Sequence, residues 1–136
     1  MKNKKITVLF LDVKKGATLQ KLQIEDKLEN YQTTLGVDCI DIVRRPVGNS
    51  LFCFVVDDVG ALDRYRITSA VNANGYPELF GNLIITGLPN DEGELTSLTQ
   101  SDIEKITKSI RRAWSFILGK EYTRIRLNMF RGACHL

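Results

Sequence analysis

Arginines stand in close pairs at Arg44 with Arg45, Arg64 with Arg66 and Arg124 with Arg126. Each guanidinium is a planar fork of five donors, the geometry that grips phosphate. Around the middle pair the chain reads DRYRITSAVNANGY. Tyr65 and Tyr76, and Trp114 further on, offer ring faces on which a base could stack. Asn72 and Asn74, beside Gly75, offer amides able to read polar edges. Arg44, Arg45, Arg64, Tyr65, Arg66, Asn72, Asn74 and Tyr76 therefore form a candidate ligand-binding set, and its natural ligand is a nucleotide-like small molecule. The competing reading is ordinary: exposed arginine is common, and aromatic rings most often fill cores.

A second set lies nearer the C-terminus. Lys105, Lys108, Arg111 and Arg112, with Trp114, Arg124 and Arg126, make a basic face suited to masking a protein or nucleic acid. Residues 1–49 hold nine Lys/Arg against six Asp/Glu, residues 50–100 two against seven, and residues 101–136 eight against three. A basic end following an acidic middle could steer an anionic partner or help subunits associate as a homo-oligomer. The net charge of +3 is a weak electrostatic footprint for nucleic acid.

Catalytic and metal-binding patterns are sparse. Cys134 and His135 are adjacent but lack further ligands at recognised spacing, and Asp91, Glu92 and Glu94 lack the spacing of a calcium loop. The single histidine is the penultimate residue, a poor place for a general base. No nucleophile elbow, Walker loop or dinucleotide fingerprint occurs. Asp57 and Asp58 could still work with a distant carboxylate. The reading is a protein with no catalytic residue, metal or cofactor.

These residues need elements to position them. At 136 residues the chain suits one compact domain. KKITVLFLDV, residues 4–13, is apolar on both alternating faces, as a strand covered on both sides is, and TLQKLQI reads as its exposed partner. Asp26 followed by Glu29 predicts a capped short helix near 26–35, closed by Gly36. VDCIDIVRR, with Ile40 and Ile42 inward, and LFCFVVDD predict a hairpin through PVGN. ALDRYRIT reads as a strand with Leu62, Arg64 and Arg66 on one side, followed by an irregular SAVNANGYPELF. NLIITGL and ELTSL read as a hairpin around NDEG, with Gly93 left-handed. Thr99 and Asp102 predict a capping box, and Ile103, Ile106, Ile110, Ala113 or Trp114 and Ile117 predict a helix over about 100–118. EYTRIRLNMFRG alternates Ile125, Leu127 and Met129 against Arg124, Arg126 and Asn128, a final amphipathic strand. The sum is a mainly antiparallel α+β fold.

Cys39 and Cys53 lie in apolar runs and read as small core residues, and three widely spaced cysteines fit a reducing compartment. With no signal-peptide pattern and no run long enough to span a membrane, a soluble cytoplasmic protein is expected.

GNLIITGLPNDEGELTSLTQSDIEKI resembles the C-terminal signature of the domain of unknown function 3846 family, found in phages and mobile elements of bacteria. The order of parts carries the likeness: a Gly-led apolar strand, an acidic Gly turn, SLT, and a helix that begins with acids. CIDIVRRPVGNSLFCFVVDDVG is similar to the family's central part. The likeness covers about residues 4–110, leaving 111–136 as a basic extension. RYRITSAVNANG departs from the family's usual Pro and Asn-Arg pair. The resemblance implies a phage or mobile-element setting, and hence an accessory protein that acts on a host defence by binding a defence protein or sequestering its signal molecule.

Overall fold

The computed structural model describes residues 4–15, 19–62 and 66–128. It is α+β, with two sheets, two helices and one large core shared between the sheets. Five strands form the larger sheet: β1 (Lys5–Leu11), β2 (Gln20–Glu25), β3 (Ile40–Val47), β4 (Ser50–Asp57) and, later in the chain, β7 (Leu83–Thr86), in the order β2-β1-β7-β4-β3. Every pairing within it is antiparallel.

Alternation along β1 explains why this sheet sits in the middle. Leu9 and Leu11 face one core together with Phe52, Phe54, Leu83 and Ile85, while Ile6 and Val8 face another with Cys53, Val55 and Ile84. Side chains two apart share a face, so a strand apolar at every position must be covered twice. Helix α1 (Leu28–Leu35) covers the second face with Tyr31 and Leu35. It ends at Gly36, whose φ of 73° is left-handed and whose N–H donates to the Gln32 carbonyl. The β3–β4 hairpin turns at Gly48 and Asn49, and Gly48 supplies the positive φ, 63°, that a II′ turn requires at its first central position.

The smaller sheet comprises β5 (Thr68–Val71), β6 (Pro77–Phe80), β8 (Ile110–Ser115) and β9 (Lys120–Arg126), in the order β6-β5-β9-β8. Its pairings are antiparallel except β5 with β9, which run parallel. Ala70, Ile125 and Leu127 from this side meet Phe54, Leu83 and Ile85 in the larger core, and Ile106 of helix α2 (Gln100–Lys108) joins them. Each fully buried Leu, Ile or Phe contributes roughly 1.5–3 kcal/mol.

Several expectations are corrected. The C-terminal helix stops at Lys108, and residues 110–115 are strand β8, so the periodic run to Ile117 is not one helix. Ser109 ends it: its N–H donates to the Ile106 carbonyl in a tight last turn, and its own carbonyl accepts from Arg126 of β9. Pairing with β9 captures Ile110 and Trp114, residue types favoured in strands. Asp26 does not cap α1, because Lys27 is the N-cap and makes no side-chain bond. Ile42 points outward, 45% exposed, because β3 is an edge strand beyond the reach of α1, and Cys39 is exposed just before it.

ALDRYRIT is not one strand. Gly60–Leu62 is a 3-10 turn, Leu62 is exposed, and β5 starts only at Thr68. SAVNANGYPELF is a hairpin rather than irregular, with Gly75 at φ 87° donating its N–H to the Asn72 carbonyl. In the NDEG turn Gly93 is left-handed, φ 81°, as expected. ELTSL is not a strand, however. Leu98 N–H donates to the Thr7 carbonyl and Ser97 Oγ accepts from Thr7 N–H, so this segment seals the stretch of β1 that β7 does not reach. The Thr99–Asp102 capping box is present in both directions. In the final strand Ile125 and Leu127 are buried against exposed Arg126 and Asn128, while Met129 lies outside the described residues.

Candidate functional site

A cleft of about 450 Å³ opens at one end of the larger sheet. It is built where β1 runs out. Asp12 follows the strand, and its Oδ1 accepts from the N–H groups of Lys14 and Lys15, folding Val13–Lys15 into a 3-10 turn. Val13 N–H donates to Asn82 Oδ1 at 3.0 Å, which pins that turn to the residue before β7. Lys120 Nζ donates to the Lys15 carbonyl, joining the β8–β9 hairpin to the same rim.

Arg66 and Ile67 form another wall, with the Arg66 guanidinium 5.1 Å from the centre of the Phe80 ring. A ring face under a guanidinium holds it flat and leaves its edge donors free for an anion. Asp57, at the end of β4, closes the far side, and its Oδ1 accepts from Val59 N–H at 3.2 Å. A Cβ on Gly60 would lie 3.1 Å from the Phe80 carbonyl oxygen, a tight contact that glycine avoids. Lys14, Lys15 and Arg66 thus line the cleft together with the carboxylates of Asp12 and Asp57. Chemically it offers three cations for an acidic ligand, an amide at Asn82, and two acids able to accept from hydroxyl or amino groups.

Of the ligand-binding set read from the sequence, Arg66 lies here. Arg64 and Tyr65 are outside the described residues. Arg44 is exposed on β3, and Arg45 on the same strand donates from Nε to Glu78 of β6 at 3.2 Å, tying the edges of the two sheets together. Asn72 Oδ1 accepts from the N–H groups of Asn74 and Tyr76, so this carbonyl closes its own turn. Tyr76 is 67% exposed. Arg66 precedes β5 and Asn72 follows it, so about 20 Å of extended chain separates them. Of the described members of the set, Arg66 alone lines the cleft, and the Asn72–Tyr76 turn stands at the other end of β5.

The basic set also divides. Lys105 Nζ donates to Ser50 Oγ at 2.7 Å, and Lys108 is exposed at the end of α2. Arg112 bonds Thr123 Oγ1 and lies 4.0 Å from Glu121, whereas Trp114 is exposed toward the hairpin tip. Arg111, Arg124 and Arg126 lie together on β8 and β9. Cys134 and His135 fall outside the described residues. Among the described residues no group of three or more His, Cys, Asp or Glu could hold a metal. Asp91 and Glu92 are exposed in the NDEG turn, and Asn90 Oδ1 accepts from the N–H groups of Glu92 and Glu94.

Two titrations depart from the ordinary. Burial, then the hydrogen bond to Asp26, pushes the Tyr31 phenol well above its usual range, and burial pushes the Cys53 thiol up against a smaller opposing pull from Arg44. Neither group lines the cleft.

Reasoning from sequence missed Asp12, Lys14, Lys15 and Asn82. The available signal was a Lys-Lys pair three residues past a largely buried strand, which places two cations near the edge of the core.

The model of the domain of unknown function DUF3846 matches residues 6–111. The chain belongs to that family. The matched span contains β1 to β7 and α2, and thus every cleft residue, but stops at the start of β8. No curated protein and no solved structure matches the chain. No helix among the described residues is long and apolar enough to cross a membrane.

Proposed function

We propose that this DUF3846 protein is a non-enzymatic accessory protein of a phage or mobile element that sequesters an anionic, nucleotide-like signal molecule of a host defence. The observation that carries this reading is the cleft of about 450 Å³ with Lys14, Lys15 and Arg66 on its walls. Its size lies within the range of small-molecule sites. Lys14 and Lys15 take the phosphate, while Asn82, Asp12 and Asp57 supply acceptors for sugar or base. A second copy would be needed to bring Tyr76 or Arg44 to the same ligand, so the mass in solution with and without ligand belongs to the test.

Thermal shift with a panel of linear and cyclic nucleotides tests the proposal. A ligand at a hundredfold its Kd adds about 2.7 kcal/mol, a rise of several degrees in Tm for a chain of this size. Lys15→Gln and Arg66→Gln should abolish the rise while leaving the ligand-free Tm close to wild type. A panel that gives no shift, or shifts indifferent to both substitutions, overturns it.

A second reading is favoured by Asp12 and Asp57 sharing the cleft, since paired acids can serve an enzyme. It requires product to form from a bound nucleotide and to disappear in Asp57→Asn.

A further inference from the structure

The outer part of the smaller sheet carries an arrangement that folding alone does not explain. Arg111 of β8 and Arg124 of β9 are direct cross-strand partners. Opposed residues share a face about 5 Å apart, and like charges so placed repel. Arg126 lies two residues along β9, on that face again, about 6.6 Å further on. No carboxylate pairs with any of the three among the described residues.

Two of the three side chains are nevertheless held in place. Arg111 Nη1 donates to the Lys108 and Ile110 carbonyls, and Arg126 Nη2 donates to the Ala73 carbonyl, so one terminal nitrogen of each fork is anchored. At the centre, Arg124 Nε is shielded from water with no acceptor. Ser69, wholly buried, also has an unpartnered Oγ, and it precedes Ala70, the parallel partner of Ile125, so it lies alongside Arg124. An unmet buried donor costs roughly 1–3 kcal/mol, and among the described residues no carbonyl or carboxylate accepts from it.

We propose that the Arg111–Arg124–Arg126 row binds the sugar-phosphate backbone of a single-stranded nucleic acid. The interval from Arg124 to Arg126, about 6.6 Å along β9, is comparable to that of successive phosphates in an extended strand, and Arg111 stands across from Arg124 to widen the grip. An aromatic platform stands next to it: Tyr76 is exposed in the turn whose Ala73 carbonyl anchors Arg126. Stacking on such a ring is tolerant of sequence, so binding is weak in base preference and strong in salt dependence. The proposal is independent of the cleft, because none of the three arginines lines it.

Fluorescence anisotropy of labelled oligouridylate and oligothymidylate, titrated with the full chain over a range of salt, tests it. Three phosphate contacts predict a log–log salt slope near −2, and Arg126→Gln should flatten it by about 0.7. Arg111→Gln with Arg126→Gln should weaken binding at least tenfold at low salt with the circular dichroism spectrum unchanged. Lys21→Gln, which removes one charge from exposed β2 as Arg126→Gln removes one from β9, should leave binding as in wild type. Absence of binding by wild type at low salt, or equal weakening by Lys21→Gln, overturns the proposal.

Discussion

Asp26 shows how much one carboxylate can organise. Its Oδ1 accepts from the Tyr31 phenol at 2.6 Å, and its Oδ2 accepts from Leu95 N–H at 2.9 Å, so α1 and the segment after the NDEG turn meet on one side chain. Removing the carboxylate leaves two donors unmet, and Asp26→Ala should lower stability by about 2–3 kcal/mol in urea unfolding. Tyr31 adds a pH signature. Its folded pKa is raised, so its contribution is complete below about pH 10, the ordinary tyrosine value, and is lost as pH rises above it, because the unfolded chain then releases a proton that the folded chain keeps. Tyr31→Phe should therefore show a shallower loss of stability than wild type between about pH 10 and 11, measured by denaturant midpoint. From the sequence Asp26 looked like a helix cap because Glu29 follows at the right interval. Contacts with Leu95, far along the chain, are invisible to local spacing.

At the scale of elements, the best-read feature is the start of α2 and the worst-read is its end. Thr99 Oγ1 accepts from Asp102 N–H, and Asp102 Oδ2 accepts from Thr99 N–H, a reciprocal pattern written entirely within four residues. Thr99→Ala should cost about 1 kcal/mol, read as a lower urea midpoint with an unchanged slope. The helix end was misplaced because Ile106, Ile110 and Ile117 also fit a helical rhythm. What ends the helix is pairing with β9, and a strand partner leaves no mark at the position it captures. The β5–β6 hairpin was overlooked for a different reason: Pro77 opens β6, and proline in an apolar run argues locally against a strand. The hairpin tolerates it as the first residue of an edge strand.

For the molecule as a whole, the antiparallel α+β class was legible because strand alternation and turn residues are local. The cleft was not, since it gathers the ends of β1, α1 and β4 with Arg66 and Asn82, none adjacent in sequence. Arg66, as an anion binder, and Asp57, as an acid, were picked out on side-chain type rather than place. Residues 111–136 read as an appendage, yet β9 is an inner strand of the smaller sheet and contributes Tyr122 and Ile125 to the larger core. A chain cut after residue 111 should consequently be insoluble, or open enough to be digested rapidly by a protease, where the full chain resists.

That placement of β9 sets a timetable for folding. β5 waits for a parallel partner some fifty residues downstream, with no other strand to take that edge. Pairings of such long range form slowly, and an open edge meanwhile invites neighbouring chains to add to it. During synthesis the larger sheet can assemble once β7 has emerged, while the β5–β6 hairpin remains a half-built sheet until the closing strand arrives. The commonest hazard for this protein is thus kinetic, a brief interval in which a nascent chain depends on chaperones or dilution to keep one exposed strand to itself.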